Sequence, residues 1–357
     1  MKKVYTSIVL LLLVSGCQTD EATVSASKPV ASDTIYPIEG VGDHQLEIIG
    51  WYDEQSLIYL LSEENSFNLF SHDVLTGEDE LFYTGVESEQ FHRLDVNKDQ
   101  SLFALQTLND QGQAELVILN KSGDVEIDPD LSADDYSIYW SPYHSTEFMA
   151  VAFQPDWKQE VYHVDLEEMN VEKTGIQSNF IQWSTENTVT YLNWSMIPSI
   201  EAPLQQYDLT KNQTKDGIGS ALYFSNLFQD RSLLVKYKEI QADEILYEFT
   251  DGIHTLGSVT IPILNTFSEH WWITSYAFDG VLDRFYYLSP RYTADYVTYK
   301  DSFDLFMYDL NEDSNIKLGQ LDQQEPLELS SDGKWLLAGS VKKKLISTED
   351  GTVFKLY

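Results

Sequence analysis

From about residue 46 onward, apolar and polar positions alternate in short runs, broken by clusters of Asp, Asn, Gly and Ser. Period-two alternation bounded by turn residues predicts β-strands and hairpins throughout, with little helix. One arrangement recurs: an alternating run, an acidic or amide residue, a tight turn, then a second strand-like run. It is found at LFSHDVLTGEDELF (69–82), LVILNKSGDVEI (116–127), VYHVDLEEMNVEKT (161–174) and LQQYDLTKNQTKDG (204–217). LYEFTDGIHTLGSV (246–259), LFMYDLNEDSNIKL (305–318) and LISTEDGTVFKL (345–356) complete the set. The residues opening these turns are Asp73, Asn120, Asp165, Asp208, Asp251, Asp309 and Asp350, spaced 41 to 58 residues apart. Asp and Asn suit the position because their side chains bond the backbone two residues on and nucleate the turn.

A second hairpin precedes each of these. Its first strand ends at or near a large apolar residue: Trp51, Val96, Trp140, Trp183, Phe224, Phe278 or Leu329. The strand that follows is almost continuously apolar, as in SLIYLL (56–61), FMAVAF (148–153) and WLLAG (335–339). Such runs predict strands buried on both faces. Each unit therefore holds four strands in roughly 44 residues, the size of a propeller blade. The expectation is an all-β chain whose residues 35–357 form a single β-propeller of four-stranded blades, seven units in all.

Antiparallel order within a blade fixes which connections are neighbours. Loops between second and third strands emerge on the same face as the links between blades; the remaining turns emerge opposite. The long, aromatic connections all belong to the first set: QPDWKQE (154–160), WSMIPSIEAP (194–203), SPRYTADYVTYKDS (289–302), IDPDLSADDY (127–136) and PILNTFSEHWW (262–272). Irregular loops on a rigid scaffold are where function usually resides. Trp157, Trp194, Trp271, Trp272, Tyr292 and Tyr296 are the candidates for stacking on a sugar or peptide, with Arg291 and Lys300 as donors to a carboxylate or phosphate. The competing reading is that these aromatics pack between blades or pin their own loops. Trp140 and Trp183, on inner strands, are read as core.

The first residues, MKKVYTSIVLLLLVSGC, place two lysines before an apolar run too short to span a bilayer, the form of a secretory leader. VSGC (14–17) resembles the lipobox of bacterial lipoproteins, and Cys17 is the sole cysteine. The reading is a signal peptide over 1–16, lipid attachment at Cys17, and a polar tether over 17–34. Two or three acyl chains hold a protein stably on a membrane where one does so marginally. Disulfides are excluded, so a large apolar core must supply stability.

The chain carries 22 basic and 58 acidic side chains, a formal charge of −36. Removal of the leader takes away Lys2 and Lys3 and no acid, leaving 20 against 58, or −38. Such a surface repels nucleic acid and anionic headgroups, so membrane attachment is left to the acyl chains and no nucleic-acid partner is expected. VKKK (341–344) is the one basic patch and is read as protection of a strand edge. Asp95, Asn97, Asp99 and Ser101, like Asp309, Asn311, Asp313 and Asn315, begin as a calcium loop does. Both runs lack the glycine and glutamate that complete one, and both fall on hairpin turns. No zinc spacing, nucleophile elbow or phosphate-binding glycine loop is present, and neither a metal nor a cofactor is expected.

WSP (140–142) and LSSDGKWLL (329–337) resemble the TolB-like propeller repeat, whose inner hairpin reads apolar, Ser-Pro-Asp-Gly-Lys, apolar. With the lipobox and tether, the chain resembles the YqgU-like propeller lipoproteins of Gram-positive bacteria. That resemblance implies an extracytoplasmic, membrane-anchored protein, and it brings a six-bladed ring as the alternative to seven. Two functions follow. The first is a binding scaffold for a protein, peptide or glycan at the cell envelope; the second is an extracytoplasmic hydrolase or lyase acting on carbohydrate. A funnel mouth carrying inward carboxylates and a histidine would favour the enzyme.

Overall fold

Backbone pairing converts the repeat into seven four-stranded antiparallel sheets, each made of strands in chain order, with one short strand set aside in the loop of the sixth. The computed structural model describes residues 34–39, 46–62, 66–86, 89–129, 131, 133–155, 158–194, 199, 201–238, 243–265, 273–339 and 342–357. Blade 1 is β1 (Leu46–Trp51), β2 (Ser56–Ser62), β3 (Phe67–Asp73) and β4 (Asp79–Thr84). Blade 2 is β5 (Gln90–Val96), β6 (Leu102–Leu108), β7 (Ala114–Asn120) and β8 (Val125–Ile127). Blade 3 is β9 (Asp135–Trp140), β10 (Glu147–Phe153), β11 (Gln159–Asp165) and β12 (Asn170–Lys173). Blade 4 is β13 (Gln182–Thr185), β14 (Thr188–Leu192), β15 (Ala202–Asp208) and β16 (Gln213–Ala221). Blade 5 is β17 (Tyr223–Phe228), β18 (Arg231–Tyr237), β19 (Glu244–Thr250) and β20 (Thr255–Pro262). After β21 (Leu264–Asn265), blade 6 is β22 (Tyr276–Asp279), β23 (Arg284–Ser289), β25 (Phe303–Asp309) and β26 (Ser314–Leu321), with β24 (Ala294–Asp295) inside its long loop. Blade 7 is β27 (Leu327–Leu329), β28 (Trp335–Ala338), β29 (Lys344–Ser347) and β30 (Val353–Lys355).

The continuous apolar runs lie where the core is. The middle residues of β2, β6 and β10 and all of β28 are buried, so these second strands have their sides covered by neighbouring blades. The core is a succession of inter-blade clusters; one joins β10 and β11 residues Met149, Val151 and Val161 to Trp183, Val189 and Tyr191 of blade 4. At about 25 cal/mol per Å² of apolar area, clusters of this kind are the main stabilising element of a chain without disulfides.

First-strand tryptophans do more than fill space. Trp140 donates its indole N–H to the Asp95 carbonyl at 3.2 Å, Trp183 to the Tyr139 carbonyl at 2.9 Å, and Trp51 to the Glu328 carbonyl at 3.2 Å. Each bond stitches one inner strand to that of the preceding blade, and the third joins blade 1 to blade 7. A buried indole N–H needs such an acceptor.

The turn-opening carboxylates act as the sequence suggests. Asp73 Oδ1 accepts from the N–H groups of Leu75 and Thr76, Asp165 Oδ1 from Glu167 and Glu168, and Asp309 Oδ1 from Asn311 and Glu312. Blade 7 differs: β29 ends at Ser347, whose hydroxyl accepts from Glu349 and Asp350, so the position equivalent to Asp73 is Ser347 rather than Asp350. Asn97 and Asp99 likewise spend Oδ1 on the N–H of Ser101, so the calcium-like runs are occupied by turn hydrogen bonds.

Lys342 and Lys344 of the VKKK patch guard no strand edge. Lys344 begins β29, an interior strand, and pairs with Glu325 at 3.0 Å. Lys342 bonds the Ile49 carbonyl and pairs with Glu328 Oε2 at 2.6 Å, while Glu328 Oε1 accepts the Trp51 N–H at 3.2 Å. Its partners therefore lie on blade 1 and on the inner strand of blade 7. Beside them the segment 35–38 acts as a strap: Tyr36 N–H bonds the Val74 carbonyl at 2.9 Å, Ile38 N–H bonds the Leu356 carbonyl at 2.8 Å, and buried His72 reaches the Tyr36 carbonyl at 2.9 Å.

Candidate ligand-binding face

The connections between second and third strands and the links between blades gather on one face, as antiparallel order requires. On blade 6 the long loop is braced, because β24 pairs in parallel with β21 through Leu264↔Ala294 and Asn265↔Asp295. Tyr296 N–H bonds the Asn265 carbonyl at 2.8 Å, which fixes the tip. Tyr296 and Tyr292 are nevertheless half-exposed, the latter with its ring 5.1 Å from that of Tyr299.

Arg291 is engaged inside its own blade. Its Nε and Nη2 donate to Asp304 Oδ1 at 3.1 and 3.0 Å, and Nη2 donates to Gln320 Oε1 at 2.7 Å. Lys317 shares the same carboxylate at 3.0 Å, and together the two cations hold Asp304 below the usual carboxylate range against the opposing effect of burial. Lys300 donates to the Val297 carbonyl at 3.0 Å.

Trp194 begins the corresponding loop of blade 4 and is 46% exposed. It borders a cavity of about 370 Å³ among the end of β14, the neighbouring strands β15 and β16 and the link from blade 3, with Gln177, Asn179, Asn193, Gln205 and Thr214 among the lining residues. Strand pairing sets Gln205 opposite Tyr191, placing a polar side chain of β15 beside β14. Trp194 thus belongs to blade 4, and Arg291, Tyr292 and Tyr296 belong to blade 6. Trp157, Trp271, Trp272 and Cys17 lie outside the described residues.

The inner strands of blades 2 and 3 carry a set of ionisable groups of which sequence spacing singled out only Asp95, as the start of a calcium-like run. Burial pushes the Asp95 carboxyl up to about 6, opposed by Arg93, by a 3.3 Å hydrogen bond from Gln106 Nε2 and by Lys342, and reinforced by Asp135. His92 Nε2 lies 3.0 Å from Asp135 Oδ1, and Arg93 Nη1 donates to the Tyr136 carbonyl at 3.1 Å. Among the described residues, no group of three or more His, Cys, Asp or Glu side chains could hold a metal ion.

Seven blades whose inner strands are stitched into a ring, with long loops collected at one face, define a β-propeller. The chain belongs to the family described as the YqgU-like 6-bladed beta propeller domain, which matches residues 73–339. It is 23% identical over 342 residues to the uncharacterized lipoprotein YqgU of Bacillus subtilis (strain 168), covering 93% of this chain and 90% of that protein. In fold it is similar to the uncharacterized protein lmo1340 of Listeria monocytogenes EGD-e, with a TM-score of 0.80, 16% identity, and coverage of 90% of this chain and 98% of that one. The β-propeller domain of the Trilobed protease from Pyrococcus furiosus, described as having an open velcro topology, has a TM-score of 0.58 and 12% identity, with 87% and 97% covered. The family's description has six blades and this chain has seven sheets. The matched residues contain blades 2 to 6 whole, but only β4 of blade 1 and β27 and β28 of blade 7.

Proposed function

We propose that the protein is a membrane-anchored, extracytoplasmic binding module that holds an envelope component on its loop-rich face. The observation that carries this reading is the half-exposed Trp194 beside an open polar cavity on that face. A large aromatic left in water next to concave polar surface is the composition of a recognition site rather than of a core. The lipobox at Cys17, together with the lipoprotein relative, supports attachment through acyl chains. The compact unit begins at Ile35, and Tyr36 is bonded to Val74 in a turn of the opposite face.

Crosslinking in intact cells tests the reading, with the wild type compared against a Trp194→Ala, Tyr292→Ala, Tyr296→Ala variant. An adduct that disappears in the variant supports it; the same adducts from both proteins, or none, would overturn it. Cys17→Ala is expected to release the protein to the medium, and its retention on the membrane would refute lipid anchoring.

One observation favours a second reading, a carbohydrate hydrolase or lyase: the His92–Asp135 pair lies near the buried carboxyl of Asp95. A raised carboxyl pKa suits a general acid. Turnover of a polysaccharide panel that is abolished by Asp95→Asn would establish it.

A further inference from the structure

We infer that the blade 4 cavity is a binding site for an uncharged saccharide. The inference rests on the binding-module reading above and assigns it a ligand class.

The chemistry of the lining carries the argument. Residues Gln177, Asn179, Asn193, Gln205 and Thr214 present amides and a hydroxyl, and Trp194 presents an indole face. None of the described lining residues carries a charge at neutral pH, although the chain as a whole has 58 acidic side chains. An anionic ligand would meet no compensating cation there and would be repelled by the surrounding surface. A cationic ligand would find no carboxylate in the lining. What remains is a neutral molecule rich in hydrogen-bonding groups.

The geometry narrows the class further. The side-chain amides of Gln177, Asn179, Asn193 and Gln205 make no hydrogen bond to another described residue, so their donors and acceptors are free for a ligand. Each amide offers two donors and one carbonyl acceptor, which matches hydroxyl groups that both give and accept. A pyranose also has C–H groups on its ring faces, and the negative face of an indole attracts them. The cavity volume, about 370 Å³, lies within the range of small-molecule sites. An apolar ligand would cover the free amides without pairing them, which selects against it.

Calorimetric titration of the purified protein with chitotetraose and cellotetraose, alongside tetragalacturonate as an anionic control, tests the assignment. The variants are Trp194→Ala, Asn179→Ala and, as a control in an exposed turn of the opposite face, Ile253→Ala, each first checked for an unchanged melting temperature. The expected result is saturable binding of a neutral tetrasaccharide, weakened tenfold or more by Trp194→Ala and Asn179→Ala and unchanged by Ile253→Ala. Equal or tighter binding of the galacturonate would overturn the uncharged class. Saccharide binding indifferent to Trp194→Ala would overturn the location. No binding of either neutral sugar, while the cellular adduct still depends on Trp194, would refute the saccharide and leave the binding-module reading standing.

Discussion

Replacing Asp95 by asparagine removes one ionisation from the inner strand of blade 2 and keeps the shape of the side chain. The carboxyl is raised from 3.8 to about 6, with burial as the largest cause. A raised carboxylate pKa means that the folded state holds a proton the unfolded chain gives up. Its favourable contribution is therefore fully present below about pH 4 and is lost as pH rises through 6. The interval corresponds to about 3 kcal/mol at 1.36 kcal/mol per pH unit. In a unit of this length that is about 4 °C in Tm. Asparagine carries no such dependence and adds a donor beside Gln106 Oε1, a buried acceptor without a hydrogen-bond partner. That second effect is independent of pH, so only the pH-dependent part reports the ionisation. Urea unfolding followed by tryptophan fluorescence at half-unit steps from pH 4 to 8 provides the measurement. The stability gain of Asp95→Asn over wild type is expected to grow by about 2 kcal/mol between pH 4 and 7. Parallel curves for the two proteins would refute the argument that this carboxyl is held protonated by burial.

Three further substitutions probe the packing. Gly123 has φ +80° and an added Cβ would sit 1.9 Å from the Phe82 carbonyl oxygen of blade 1, so Gly123→Ala is expected to destabilise by roughly 2–4 kcal/mol in urea melts. Trp183→Phe loses the indole bond to Tyr139 and some buried volume; a loss of about 2 kcal/mol is expected, and an unchanged urea midpoint would show that the inter-blade bond is dispensable. Ile38→Ala empties a buried position on the strap and should cost about 2–4 kcal/mol by the same assay, whereas a strap that merely lies on the surface would give less than about 0.5.

Local chemistry made the blades readable. β2, β10 and β28 announced themselves as continuous apolar runs because strands covered on both faces have no polar side to show. Asp73, Asp165 and Asp309 were readable because an Asx turn is completed within three residues. Ser347 escaped for a related reason: a serine at the end of β29 performs the task, while Asp350, three residues on, bonds Thr352 and mimics the pattern. The role of Lys342 was hidden, since its partner Ile49 is 293 residues away and only ring closure brings them together. Trp194 stood out as an aromatic in a long loop. Gln177, Asn179, Gln205 and Thr214 did not, because amides and hydroxyls on a link and two strands have no characteristic spacing and converge only through strand pairing. Asp95 looked like the first residue of a hairpin turn; its burial on an inner strand is a property of the ring.

Closure explains why the chain begins its compact unit with a strap. Every blade is built from its own four strands, so no strand of one blade completes another across the junction of blades 1 and 7. Elsewhere the glycine of a turn between third and fourth strands abuts the outer strand of the preceding blade: Gly123 faces Phe82, and Gly351 faces Leu318. In blade 1 the corresponding Gly77 faces Tyr36, with 3.1 Å between its added Cβ and that of the tyrosine. Residues 35–38 therefore occupy for blade 1 the place that an outer strand occupies for the others. Ile38 buries itself in the cluster of Trp51, Val74, Trp335 and Leu356, which draws on both blades. At the inner end, Lys342 and Glu328 tie the same two blades by hydrogen bonds. The junction is thus held at its rim by apolar burial and at its axis by a charged pair, two interactions with different dependence on salt and temperature.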